Sequence, residues 1–448
     1  MISPELLVED GVLTETDLDE APRLPHGTVD YDRVREWKLP LLMRAYRNFR
    51  DITHASASHL FGQFRADHDT WLDDYALFVA LKGRFGLNHN WTSWDHDLVQ
   101  RNPSALAKYR EELADEIEYQ QYCQFVFYRQ WDALRRHCAV RGVRIMGDIP
   151  IYVAHDSADV WSHQQQFLLE SNGKPKVISG VPPDYFSKTG QLWGNPIYNW
   201  KAMTQSGFEW WIERFRGAFR LYDVLRVDHF RGFEAFWEVS AKEETAINGK
   251  WVKAPGEKLF RAVNSALGDL EIVAENLGVI TPEVEALRRK FKYPGMAILQ
   301  FAFGIEGNSA DYRPHNFERQ TIAYTGTHDN DTAMGWWHSG GGDSTRTAED
   351  IRREKEFTLQ YLGPGDDPIN WKMIRALQGS VAQAVVIPMQ DVLGLGSESR
   401  MNRPGVAAGN WRWRMLPDEF TTDMQDRLLD LATLYERIPS KDKDAHVG

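Results

Sequence analysis

Cysteine is scarce: Cys123 and Cys138 are the only two in a chain of 448 residues. That supply excludes a disulfide-built scaffold and fits a reducing, cytoplasmic compartment. Basic charge is short too. Lys and Arg number 52 against 64 Asp and Glu, a formal net charge of -12 at pH 7. This balance argues against a nucleic-acid partner. No block of one charge sign suggests a basic arm or an acidic tail. The sequence holds no run of about 18 apolar residues able to cross a membrane. Its opening, MISPELLVEDG, lacks the basic start and apolar run of a secretory signal. P-loop, HExxH and CxxC patterns are missing, and no repeat recurs at a fixed period.

Aromatic residues, by contrast, are plentiful: 17 Trp, 16 Tyr and 22 Phe. Many stand beside polar residues, as in HNWTSWDHD, GQLWGNPIYNW and GNWRWR. Some of these rings fill a core. The mixture also suits sugars, whose C–H faces pack on aromatic rings while their hydroxyls need Asp, Asn, Arg and His nearby.

Residues 33–140 read mostly as helices. The stretch SALAKYREELADEIEYQQYCQFVFYRQWDALRRHCAVRG has helical apolar spacing and Gly142 at its end. The texture changes at about 143. Short apolar runs then alternate with helical segments, the pattern of a parallel sheet with crossover helices. There are six such runs: VRIMGDIPIYV (143–153), LYDVLRVDHF (221–230), LEIVAENLG (270–278), GMAILQFAF (295–303), TIAYTGTHD (321–329) and QAVVIPMQDVL (383–393). Each turns polar towards its C-terminal end, at Asp148, Arg226 and Asp228, Glu275, Gln300, His328 and Asp329, and Gln390 and Asp391. Active-site residues at the C-terminal ends of several strands are the layout of a (β/α)8 TIM-type barrel. A doubly wound open sheet is the rival, and a count of six suits it. The organisation expected is a mainly helical subdomain at 1–142 and barrel strands over 143–448. An insertion at about 154–220 carries the Gly-, Pro- and aromatic-rich loop VISGVPPDYFSKTGQLWGNPIYNW.

Residues two apart on a strand share a face, so Arg226 and Asp228 are neighbours. An arginine there keeps Asp228 ionised, and an ionised carboxylate in a sugar pocket can attack an anomeric carbon. A structural ion pair is the plainer reading of the same pattern. Glu275 ends the next run. Two carboxylates about 5–5.5 Å apart flanking one bond are the pair used in retaining glycoside chemistry, one as nucleophile and one as acid and base. Apolar neighbours and the Asp228 charge are expected to raise the Glu275 pKa. In GTHDNDT, Asp329 can hold sugar hydroxyls as the ring flattens. A metal site from His328, Asp329 and Asp331 matches no zinc or calcium spacing.

Taken together, RVDHFRGF, AENLGVITPEVEALR, YTGTHDNDT, GVPPDYFSKTGQLWGNP and RMNRPGVAAGNWRWR resemble the 4-alpha-glucanotransferases of the amylomaltase (disproportionating enzyme) family. The resemblance runs over essentially the whole chain. It implies a (β/α)8 barrel with helical insertions and retaining transfer of α-1,4-glucan segments between malto-oligosaccharides, with no cofactor and no essential metal. Asp228 is then the nucleophile, Glu275 the acid and base, and Asp329 the transition-state stabiliser, with His328 and Arg226 beside it. Asp184, Tyr185, Phe186, Trp193 and Asn195 are the implied sugar contacts of the aromatic loop, and Asn402 reaches the pocket from the loop after the last strand. The pattern departs at Asn276, where the family more usually carries Asp. It also begins late: the family has several tens of residues ahead of MISPELL, carrying the first two barrel strands, so the six runs are expected to be strands three to eight. An α-amylase-like hydrolase and a truncated, inactive glucan-binding homologue are the alternatives.

Overall fold

The computed structural model describes residues 1–52, 55–183, 187–304, 307–339 and 347–438. The chain divides into two compact units, one of residues 1–23, 32–272 and 281–287 and one of residues 24–31, 273–280 and 288–448. Its strands among the described residues are β1 (Met146–Ile149), β2 (Val177–Val181), β3 (Gln191–Pro196), β4 (Val224–Val227), β5 (Ala235–Ser240), β6 (Gly249–Lys253), β7 (Ile272–Ala274), β8 (Gly295–Ile298), β9 (Thr321–Tyr324) and β10 (Ala384–Val386).

The first unit opens with helices, as the apolar spacing predicts. The longest, Ala114–Val140, buries Tyr119, Tyr122, Phe125 and Val126. These positions fall on one stripe because the helical repeat returns a side chain to the same face every three or four residues. The stripe packs against Leu41, Leu42, Ala45, Tyr46, Phe61 and Phe64 of the helices Tyr31–Ile52 and Ala55–Asp67. The long helix stops at Val140, and Gly142 follows with φ +67°. Cys123 lies in it, and burial pushes its thiol up to about 11. Both cysteines are free.

β1, β4, β7, β8, β9 and β10 each fall within one of the six apolar runs. In the first unit β1 and β4 are parallel, with Asp148 opposite Arg226 and Ile149 opposite Val227. The Leu225 N–H donates to the carbonyl of Glu271, just ahead of β7, at 2.9 Å. In the second unit the Ala274 N–H, ending β7, donates to the carbonyl of Pro294, ahead of β8, at 2.9 Å. β8 and β10 both pair with β9 in parallel. Around these strands Leu299, Phe303, Tyr312, Met373 and Leu377 form the second unit's core.

One expectation needs correction. The aromatic stretch after β1 is not only a loop. It contributes β2 and β3 to a four-stranded antiparallel sheet of order β3-β2-β5-β6. Its glycines, which read as loop punctuation, let the hairpin close. Gly190 has φ +68°, and a Cβ there would lie 2.3 Å from the carbonyl oxygen of Val181. A left-handed, crowded position of this kind is open to glycine alone.

No helix among the described residues is long and apolar enough to cross a membrane. Near the chain's end, Arg437 caps the helix Ile369–Gln378. Its guanidinium donates to the carbonyls of Gln378 (2.7 Å), Ala382 (2.9 Å) and Ser380 (2.7 Å). Carbonyls at a helix C-terminus have no partner within the helix, and a fork of five N–H donors suits them. Arg437→Ala is therefore expected to lower unfolding stability by about 2 kcal/mol, measured by denaturant titration, with the structure otherwise kept.

Candidate active site

In the first unit the site grows from the alternation of β4. Leu225 and Val227 are 0% exposed, so Arg226 and Asp228 take the other face. The Asp228 N–H extends the ladder by one more bond, to the carbonyl of Ile149 at 3.0 Å. The chain then breaks away. His229 adopts φ 49°, and a single turn, Phe230–Phe233, follows with both Phe side chains fully buried. Asp228 is thus the last residue held by the strand before an anchored turn.

The Arg226 guanidinium lies between two carboxylates. Nη1 donates to both oxygens of Asp148, at 2.8 and 2.7 Å, and Nη2 is 2.8 Å from Oδ1 of Asp228. The Arg226 side chain is only 10% exposed, so solvent and salt screen this charge weakly. Asp148 was not among the residues singled out for the site. Its signal was present: it stands at the polar end of the first run, and strand register sets it opposite Arg226.

His229 meets the hairpin. Loss of water pushes its imidazole down to about 4, with the Asp228 charge opposing and Arg231 reinforcing. The ring is therefore neutral at pH 7. It lies edge-on to Trp193, with centroids 4.8 Å apart and planes at 84°. Trp193 keeps 38% of its surface exposed, so an aromatic surface stands next to the residue following Asp228. Asn195 is used differently. Its amide donates to the carbonyl of Val153 at 3.0 Å, tying the hairpin to the segment after β1. Asp184, Tyr185 and Phe186 lie outside the described residues.

In the second unit Glu275 follows β7, whose three residues are all buried. Glu275 is itself 8% exposed, and its Oε1 accepts the Leu277 N–H at 2.8 Å. Burial raises the nearby Tyr312 phenol, and the charge of Glu275 adds a smaller push. The Asn276 side-chain oxygen accepts the Met296 N–H at 2.8 Å, joining the end of β7 to β8. An aspartate could accept the same bond.

His328, Asp329 and Asn402 lie together. The Asn402 amide donates to Asp329 Oδ1 at 2.6 Å, and His328 Nε2 lies 3.3 Å from Asp329 Oδ2. Bonds to two backbone carbonyls hold the segment: the Asn402 N–H donates to the His328 carbonyl at 3.0 Å, and the Arg400 side-chain Nη2 donates to the Asp329 carbonyl at 2.6 Å. Trp411, 46% exposed, packs against His328 with ring centroids 5.1 Å apart. Tyr31 holds it, the hydroxyl donating to the Trp411 carbonyl at 2.5 Å. Arg400 and Trp411 were missed as individual residues, although both lie in the Arg- and Trp-dense segment that carried Asn402.

Among the described residues no group of three or more His, Cys, Asp and Glu is arranged to hold a metal ion. A cavity of about 160 Å³ in the first unit is lined by helix and turn residues including Asp67, Trp71, Glu213, Arg216 and Arg220, not by strand ends. Its arginines are already engaged, Arg216 with Glu213 and Arg220 with the Asp67 carbonyl.

Comparison with known proteins identifies the scaffold. The family model described as 4-alpha-glucanotransferase matches residues 1–419. The chain belongs to the 4-alpha-glucanotransferase family. It is 45% identical to the 4-alpha-glucanotransferase of Thermus thermophilus over 427 residues, 94% of this chain and 83% of that one. It is 43% identical to the chloroplastic/amyloplastic 4-alpha-glucanotransferase of Arabidopsis thaliana over 446 residues, 98% of this chain and 74% of that one. Among solved structures, the amylomaltase from Streptococcus agalactiae in complex with acarbose is similar at a TM-score of 0.90 and 37% identity, covering 97% of this chain and 86% of that one. The fold is accordingly the TIM-barrel type of this family, and the activity is that of a 4-alpha-glucanotransferase.

Proposed function

We propose that the chain transfers α-1,4-glucan segments between malto-oligosaccharides by two displacements at one anomeric carbon, with Asp228, Glu275 and Asp329 as its catalytic residues. Asp228 attacks the anomeric carbon of the donor and forms a glycosyl-aspartate. Glu275 gives its proton to the departing glycosidic oxygen. In the second step the 4-hydroxyl of an acceptor sugar attacks the same carbon, Glu275 takes that proton back, and Asp228 leaves. Asp329 receives hydrogen bonds from sugar hydroxyls, its carboxylate oriented by Asn402 and His328. Trp193 and Trp411 offer exposed ring faces for pyranose packing.

The observation that carries this reading is the Arg226–Asp228 pair, 2.8 Å apart at the polar end of β4, with the Trp193 ring against the next residue, His229. A nucleophile of this kind needs a carboxylate presented by a rigid element and oriented by a fixed partner, and β4 with Arg226 meets both needs. Transfer prevails over hydrolysis where acceptor contacts hold a sugar and exclude water.

Purified protein incubated with maltotriose provides the test. Glucose together with maltopentaose and longer glucans is the expected product ladder. Glucose and maltose alone would replace transfer by hydrolysis, and unchanged maltotriose with folded protein would overturn the proposal.

A further inference from the structure

We propose that Asp391 is a positioning residue for glucan transfer, its carboxyl joining the two ends of the loop that presents His328 and Asp329. The inference rests on the assignment of Asp329 above. That loop leaves β9 at Tyr324 and returns at the helix Ala333–His338. Thr325, its first residue, donates its hydroxyl to Oδ2 of Asp391. Ala333, at its far end, donates its N–H to Oδ1 at 2.6 Å. One carboxyl therefore closes the stem of the loop from behind. Thr325 and Ala333 are 0% exposed and Asp391 is 1% exposed, so Asp391 acts through the loop and not on the sugar.

Asp391 is itself fixed. The Asn370 side chain donates to its carbonyl at 2.7 Å, and its own N–H donates to Pro388 at 2.9 Å. Within the loop, the Asn330 side-chain oxygen accepts the Thr327 N–H at 2.9 Å, and Asp331 Oδ2 accepts the Ser397 hydroxyl at 2.6 Å. Gln300 donates to the Asp331 carbonyl at 2.8 Å. Asn330 thus clamps the loop from within, Ser397, Gln300, Arg400 and Asn402 hold its middle from outside, and the Asp391 carboxyl bonds both ends of its stem. Burying a carboxyl costs stability. Burial pushes this one up to about 6, the Ala333 and Thr325 bonds opposing and the Asp331 charge adding. What it supplies in return is geometry, which two converging acceptor oxygens provide and an aliphatic side chain does not.

The test compares Asp391→Ala, Asp391→Asn and Asp329→Asn in the whole chain, with maltotriose disproportionation as the assay and circular dichroism to confirm folding. A displacement of about 1 Å at a reacting group can cost about 100-fold, so Asp391→Ala is expected to lose about 100-fold in kcat. KM should stay within about threefold, because sugar contacts made before the transition state are kept. Asparagine still accepts from Ala333 and can donate to the Thr325 hydroxyl, so Asp391→Asn should recover kcat to within about tenfold of the parent. Unchanged kcat in Asp391→Ala, an equal loss in Asp391→Asn, or a loss confined to KM would each overturn the proposal. Should Asp391→Ala not fold, Thr325→Val removes one arm alone. It should lower kcat roughly tenfold at constant KM, and an unchanged kcat would overturn the proposal. Asp329→Asn separates the two claims. Full activity there sinks the assignment of Asp329, whereas an inactive Asp329→Asn beside a fully active Asp391→Ala sinks only the role of Asp391.

Discussion

Asp228→Asn is expected to reduce transfer from maltotriose by roughly 10⁴-fold or more while glucan binding persists. The substitution is close to isosteric, but an amide offers no anionic oxygen to attack the anomeric carbon. Folding should survive it for a specific reason. Losing one carboxylate does not strand the Arg226 guanidinium, because Asp148 still accepts twice from Nη1, at 2.8 and 2.7 Å. A buried arginine with no partner would be far more damaging. Product analysis from maltotriose measures the loss, and calorimetric titration with a non-reacting glucan analogue measures the binding. Turnover retained at more than about a hundredth of the parent rate would remove Asp228 from the nucleophile's role.

Glu275→Gln should fail differently. General acid–base catalysis is worth about 10²–10⁴-fold, so maltotriose turnover should fall by roughly that factor. Fluoride departs without a proton. With α-maltosyl fluoride as donor, Glu275→Gln should therefore release fluoride and gain the mass of one maltosyl group on the protein, because the second step still lacks its base. Glutamine's oxygen can keep the bond now accepted from the Leu277 N–H at 2.8 Å, so the backbone after β7 has no reason to move. Asp228→Asn, in contrast, should be inactive with both donors. A Glu275→Gln protein that turns over maltotriose normally, or that releases no fluoride from the activated donor, would remove Glu275 from the acid's role.

Much of this arrangement was legible in the sequence because it depends on short-range pattern. Leu225 and Val227 alternate with Arg226 and Asp228, and that alternation alone assigns each pair to its face of the strand. The polar ends of six apolar runs pointed to Asp228, Glu275 and Asp329, because a barrel gathers its site at the C-terminal ends of its strands. The antiparallel sheet was not legible. β3 is six residues long with Gly194 and Pro196 inside it, and β2 finds its second partner in β5, beyond the whole of β4. Pairings at that separation leave no local signature. The work of Asp391 was hidden for the same reason. It stood out only as a polar residue at the end of a run, and its partners, Thr325 and Ala333, lie 66 and 58 residues away. Arg437 gave no sign either, since a helix cap supplied from a distant segment has no sequence spacing.

The turn after Asp228 has one further consequence. β4 passes through Phe230 and Phe233, both wholly buried and in contact with Phe260, and emerges as β5, on which the β2–β3 hairpin hangs. The carboxylate and the hairpin bearing Trp193 are therefore two arms levered from one pinned fulcrum. Changes in the hairpin away from Trp193 and Asn195, which touch His229 and the Val153 carbonyl, leave the contacts of the first arm in place. A change at the aromatic pivot of Phe230, Phe233 and Phe260 would disturb both together.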